Sequence, residues 1–189
     1  SIMGIVEPRS GTVEFDGADV TGLAPHETAQ RGVALIPETR DLFPDLTVRE
    51  NLRMGYLGHD VEGSEAERLA PIYDYFPRLE ERASQRAGSL SGGEQQMVAI
   101  GRALVSDPDF LLVDEPTEGL MPTLVEKLGE ILATINDEGM TMLLVEQNVN
   151  LALEVGDYGY VIDEGQIQTG APAAELREDE EVMEKYLAV

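Results

Sequence analysis

The sequence predicts an α/β fold in which a parallel sheet carries helices on both faces, with a small antiparallel β piece at the N-terminus and an inserted helical lobe. Three observations predict it. Short apolar runs at residues 32–36, 110–113, 141–145 and 158–162 alternate with longer segments of helical period; strands alternating with helices run parallel in a sheet covered on both sides. Residues 47–86 keep the helical period with no strand between them, which marks a lobe. Residues 12–20 alternate around Asp16-Gly17, a pair that tolerates the positive φ angles of a tight hairpin turn.

Taken in order, Ile2, Met3 and Ile5 around Gly4 read as the last turn of a helix with a glycine C-cap. The start of that helix is absent, so a fragment or truncated product is expected. Glu7-Pro8-Arg9-Ser10-Gly11 turns the chain into the hairpin, and Pro37 stops the strand at residues 32–36. Thr47 and Glu50 form a capping box that opens the lobe's first helix, and residues 58–63 break the pattern. Leu69, Ile72, Tyr73 and Phe76 then share one helical face, closed by Pro77. A helix over residues 91–105 ends at Asp107-Pro108. The stripe Leu124, Leu128, Ile131, Leu132 and Ile135 predicts the next helix, ending near Gly139, and residues 149–155 predict another. The acidic run at residues 178–181 is assigned to a solvated C-terminal helix. No internal repeat or low-complexity tract occurs. The partition is a β-rich part at 1–46, a helical subdomain at 47–88 and a core at 89–189.

With 189 residues, 42% of them hydrophobic, the chain can bury a real core and is not of disordered composition. No apolar run approaches the ~18 residues that span a bilayer. The opening Ser1-Ile2-Met3-Gly4 lacks the basic and apolar segments of a secretory signal, so a cytoplasmic location is expected. The absence of cysteine rules out disulfides and thiolate zinc sites. Thirteen basic residues against 37 acidic ones give a net charge of −24. Such a surface repels nucleic acid and anionic lipid, and it repels itself unless salt shortens the Debye length, ~3 Å at 1 M. A host with a salty cytoplasm is therefore expected.

Two motifs carry chemistry. In Leu90-Ser91-Gly92-Gly93-Glu94-Gln95-Gln96, Ser91 and Glu94 read as a capping box before an apolar helix. A cap does not need the two interior glycines, which weaken a helix. Gly92 and Gly93 make sense where a phosphate approaches bare amides at the positive end of the helix dipole. In Phe110-Leu111-Leu112-Val113-Asp114-Glu115, a buried strand delivers two carboxylates to the sheet mouth, where ligands of open α/β folds bind. Adjacent carboxylates are costly there without a cation. Mg²⁺ at Asp114 offsets that cost, and Glu115 is placed to act as general base on water.

Together these residues resemble the ATP-binding-cassette (ABC) ATPases, whose fold is P-loop NTPase-like, over the whole chain. The resemblance implies ATP and Mg²⁺ as cofactors. It also implies a head-to-tail pair with a second ABC ATPase subunit, identical or not, in which Ser91, Gly92, Gly93 and Glu94 close on the γ-phosphate held by the other subunit. Glu38, after Val33-Ala34-Leu35-Ile36-Pro37, falls where most members carry the glutamine that touches Mg²⁺. Glu118, Gly119 and Leu120 fall in the loop that crosses the dimer interface, and Gln147 takes the switch position, usually histidine, facing the γ-phosphate. Partner permease subunits would hold the protein at the inner face of the membrane. No Gly-x-x-x-x-Gly-Lys-[Ser/Thr] phosphate loop occurs in the 189 residues; family order puts it ahead of Ser1, and without it the polypeptide should bind ATP poorly.

Pro37-Glu38, Val145-Glu146-Gln147-Asn148, Phe76-Pro77-Arg78-Leu79 and residues 86–104 resemble one subgroup, the ATPases of branched-chain amino acid importers. A urea or amide importer ATPase, another ABC task such as lipoprotein export or translation control, and a non-catalytic remnant stay open as alternatives. His26 and His59 lie near no motif and read as surface residues. Tyr73, Tyr75 and Phe76 read as core, or as a contact for the membrane subunit, rather than a cofactor box.

Overall fold

A computed structural model of the protein describes residues 2–58 and 63–186. The expected break at residues 58–63 falls partly outside them, and so does His59. Two compact units form, Ser1–Val113 with Thr141–Leu143, and Asp114–Met140 with Leu144–Val189.

In the first unit, strands β1 (Glu14–Phe15) and β2 (Ala18–Asp19) pair antiparallel. Asp16 and Gly17 at their turn take φ of 48° and 71°, as the Asp-Gly pair requires. Gly4 is left-handed, with φ 69°, at a turn rather than a described helix. Helix α1 (Pro25–Ala29) was not expected. Its cues are Pro25 at the first helical position and Glu27, whose carboxylate accepts from the Ala24 amide at 2.8 Å. Strand β3 (Val33–Ile36) pairs parallel with β4 (Phe110–Asp114), Ile36 opposite Val113, and β5 (Thr141–Val145) completes a three-stranded sheet in the order β3-β4-β5. This is the predicted α/β class.

The helical lobe comprises α2 (Val48–Met54), α3 (Glu65–Tyr75) and α4 (Pro77–Glu81). Pro77 does more than stop α3: it begins α4, since its fixed φ suits a first helical position. Helix α5 (Gly92–Leu104) follows, with Ser91 as N-cap. It packs on the lobe so closely that a Cβ on Gly101 would lie 2.7 Å from Ile72 and 3.0 Å from Leu52. Phe76, 1% exposed, belongs to this core, together with Leu52, Ile72, Leu79 and Ile100. Each such side chain withdraws apolar surface worth about 1.5–3 kcal/mol from water.

In the second unit, α6 (Pro122–Asp137) buries Leu128, Leu132 and Ile135 from the predicted stripe, and α7 (Val149–Val155) begins at an Asn148 cap. Strand β6 (Tyr158–Asp163) departs from expectation. It pairs antiparallel with β7 (Gln166–Pro172) in a separate hairpin. The cause is local: Glu164 and Gly165 take φ of 47° and 74°, the doubly left-handed turn that folds a strand straight back. Leu153, Val161, Ala173, Leu176 and Val182 form the core beside it. The acidic run also departs from expectation. Glu178 ends α8 (Ala173–Glu178), Asp179 interrupts the helix in an extended conformation, and α9 (Glu180–Tyr186) restarts with the Asp179 carboxylate accepting from the Val182 amide at 3.0 Å. His26 is exposed on α1.

Candidate functional site

The N-terminus of α5 is built as a full capping box. The Glu94 amide donates to Ser91 Oγ at 3.4 Å, and the Glu94 carboxylate accepts from the Ser91 amide at 3.0 Å and its hydroxyl at 2.8 Å. Gly92 is exposed and Gly93 buried at the first two helical positions. Arg82 reaches the other Glu94 oxygen at 2.8 Å, with Arg78 at 4.0 Å. Burial alone would raise the Glu94 carboxyl, but the Ser91 hydrogen bonds and the two arginines outweigh it and hold it below the ordinary range. All four residues predicted to meet phosphate thus share one turn.

Glu38 is exposed just past β3. The segment behind it is pinned by residues to which motif reading assigned no role. Arg40 and Asp41 take φ of 64° and 44°, and the Arg102 guanidinium donates to both their carbonyls, at 2.9 and 2.6 Å. Arg40 Nε donates to Gln96 Oε1 at 2.9 Å; Gln96 is 3% exposed. Asn51, fully buried, accepts from the Phe43 amide at 2.9 Å and donates to the Phe43 and Thr47 carbonyls, both at 3.0 Å. An asparagine inside a helix, against its propensity, was the available signal. So was Gln96, a polar group on the apolar face of α5. Arg40 and Arg102 gave none.

The strand-end carboxylates lie at the opening of the second unit. Asp114 is exposed at the end of β4. Glu115 leaves the strand at φ 42°, a left-handed value that costs an L side chain energy, and its amide donates to the Val145 carbonyl at 2.8 Å. Gln147 Nε2 sits 2.8 and 3.0 Å from the two Glu115 carboxylate oxygens. The residues predicted as catalytic base and switch are therefore in direct contact. The loop that follows is a pair of turns: the Glu118 amide donates to the Glu115 carbonyl at 3.2 Å and the Leu120 amide to the Thr117 carbonyl at 3.1 Å, with Gly119 at φ 68°. Glu118 and Gly119 are exposed, and Leu120 partly so.

Glu146 joins this loop to the switch. Its carboxylate accepts from the amide and hydroxyl of buried Thr117 and, at 3.0 Å, from the Asn148 amide. Among the described residues no group of three His, Asp or Glu side chains is ready to hold a metal unaided. The exposed carboxylates of Asp114 in the second unit and of Glu38 in the first are each hard oxygen donors of the kind Mg²⁺ prefers.

Residues 1–118 match the family model for the ABC transporter. Over 187 residues, 99% of this chain and 80% of that protein, the chain is 41% identical to the high-affinity branched-chain amino acid transport ATP-binding protein BraG of Pseudomonas aeruginosa. It is 39% identical over 181 residues, 95% of this chain and 76% of the other, to the probable branched-chain amino acid transport ATP-binding protein LivF of Archaeoglobus fulgidus. The fold matches the ADP conformation of MJ1267, an ATP-binding cassette of an ABC transporter, with a TM-score of 0.82 and 27% identity, covering 100% of this chain and 81% of that one. Motif, fold and overall likeness agree: the chain belongs to the ABC transporter family, among its ATP-binding cassettes.

Proposed function

We propose that this chain is the ATP-hydrolysing subunit that energises import of branched-chain amino acids, working head-to-tail with a second ABC ATPase subunit beneath permease partners on the inner face of the membrane. The observation that carries the chemistry is the two-pronged contact of Gln147 with the Glu115 carboxylate, 2.8 and 3.0 Å. A base with both oxygens held by one amide is oriented before substrate arrives. Glu115 accepts the proton of the water that attacks the γ-phosphorus, and Gln147 fixes the carboxylate until the γ-phosphate competes for the same amide. Ser91, Gly92 and Gly93 present donors to the γ-phosphate of ATP held by the other subunit, with Glu94 beside them. Glu118, Gly119 and Leu120 lie in the interface. Asp114 and Glu38 would hold Mg²⁺, which, when bound, neutralises charge on the phosphates.

The importer assignment rests on likeness to BraG and LivF. No described helix is long and apolar enough to cross a membrane; the proposed membrane attachment is through the permease subunits. The partition into residues 1–46, 47–88 and 89–189 corresponds to the β-rich part, the helical subdomain that faces the permeases, and the catalytic core. The charge of −24 supports a host with a salty cytoplasm.

Glu115→Gln in the intact subunit tests the chemistry: it should keep nucleotide while turnover falls at least ~100-fold. Unchanged hydrolysis would remove Glu115 from the base role. The substrate is tested by reconstitution with the permeases in vesicles. Leucine, isoleucine or valine should stimulate hydrolysis; stimulation by urea or acetamide alone would replace this reading with the amide-importer one.

A further inference from the structure

Two of the donors at the start of α5, the amide and hydroxyl of Ser91, are already in use. A phosphate closing on Ser91 needs its amide and hydroxyl hydrogens, and both point at one oxygen of Glu94, at 3.0 and 2.8 Å. That oxygen carries the negative charge which the helix end favours. The same carboxylate has Arg82 Nε 2.8 Å from its other oxygen, an ion pair without hydrogen-bond alignment, with Arg78 4.0 Å away, and its side chain is only 17% exposed. Two other capping boxes in the protein lack this second grip. At Thr47–Glu50 and Ser64–Glu67 the carboxylate serves the cap, and among the described residues no arginine lies within ion-pair distance of it. Neither begins with two glycines.

We propose that Glu94 is the resident anion of this helix end: it occupies the Ser91 donors that the γ-phosphate needs, and Arg82, helped by Arg78, draws it aside when phosphate arrives, so that these three side chains set the ATP concentration at which two subunits close. The inference rests on the proposed trans-contact of Ser91 with ATP. Glu94 and Arg82 are positioning residues in it, since neither touches the reacting atoms. No bond is made or broken; one anion replaces another on the same donors.

The physical consequence is a competition between like charges. Removing the Glu94 charge while keeping the cap should favour phosphate, and glutamine serves a capping box as glutamate does. Removing Arg82 should leave the carboxylate on Ser91 and disfavour phosphate. In the double variant the Arg82 effect should vanish, because nothing is left for Arg82 to hold.

The experiment titrates ATP into the intact subunit carrying Glu115→Gln and measures the dimer fraction by light scattering. Glu94→Gln should lower the ATP midpoint about tenfold, the scale of one nearby charge. Arg82→Ala should raise it by a similar factor, about tenfold, and Glu94→Gln/Arg82→Ala should match Glu94→Gln alone. With Glu115 intact, the Glu94→Gln gain should fall on KM rather than kcat. A midpoint that is unchanged or raised in Glu94→Gln overturns the proposal, as does an Arg82 effect that survives in the double variant. Ser91→Ala separates this from the reading beneath it. If Ser91→Ala folds and dimerises with ATP as before, the trans-contact itself is wrong. If it loses dimerisation while Glu94→Gln gives no gain, only the resident-anion inference falls.

Discussion

Glu115 sits at φ 42° with its amide bonded to Val145 and its carboxylate to Gln147. A left-handed conformation costs an L residue about 1–2 kcal/mol, and such strain gathers where geometry serves chemistry. Glu115→Gly should therefore raise stability by about 1 kcal/mol, read as a higher urea midpoint, while hydrolysis is lost. A variant no more stable than the parent would show that the turn stores no strain. Glu146 poses the opposite case. Its carboxylate satisfies the amide and hydroxyl of Thr117, which are buried, and the Asn148 amide. Glu146→Ala leaves buried donors unpaired, so it should destabilise by about 2 kcal/mol and slow turnover by loosening the switch beside Gln147. Loss of turnover without loss of stability would mean that Glu146 acts on substrate directly.

At the scale of elements, three helices start on the same reciprocal cap, at Thr47, Ser64 and Ser91. For Glu50 and Glu67 the hydrogen bonds from Thr47 and Ser64 lower the carboxyl; for Glu94 the same bonds and two arginines overcome burial. In each the folded pKa lies below the unfolded one, about 4.3. Below that value the unfolded chain binds more protons, so stability is present above it and is lost as pH falls through the folded pKa values. Unfolding midpoints should be flat from pH 7 to about 5 and fall steeply below about pH 4.3, with a shallower fall in Glu94→Gln. Parallel curves for parent and Glu94→Gln would remove Glu94 from the acid response.

The same caps explain what was legible. Helix α5 was predicted with its N-cap in place because Ser91, Glu94 and the apolar positions behind them lie within a few residues of one another. Strand β5 was likewise read with its observed bounds, as a short apolar run. Helix α1 is too short to display a period, and β7 exposes most of its side chains, so neither announced itself. Within the candidate site, the capping turn from Ser91 to Glu94 was legible as local structure. The clamps were not, because Arg102 holds carbonyls 61 and 62 positions away and Glu146 reaches Thr117 across 29. Such partners are chosen by folding, which composition and period do not encode locally.

Over the whole molecule, 37 acidic residues face 13 basic ones, and only Lys127 and Lys185 among the latter are lysines. Among the described residues, ion pairs such as Arg78–Glu81 at 2.5 Å and Arg86–Asp45 at 3.9 Å are exposed, unlike the half-buried Arg82–Glu94 pair, and exposed pairs contribute only about 0–1 kcal/mol each. They cannot balance the repulsion of an excess charge of −24, which acts over the full Debye length, ~30 Å at 0.01 M and ~3 Å at 1 M. Salt weakens both terms, but the repulsion is the larger, so screening should stabilise. Raising KCl from about 0.01 to 1 M should lift Tm by at least about 5 °C, roughly 2 kcal/mol at this chain length. Equimolar NaCl should match it, because screening depends on ionic strength; sucrose of equal osmolality should fall short. A Tm independent of KCl would mean that the acidic surface is neutral to stability, and the expectation of a salty host would lose its physical basis.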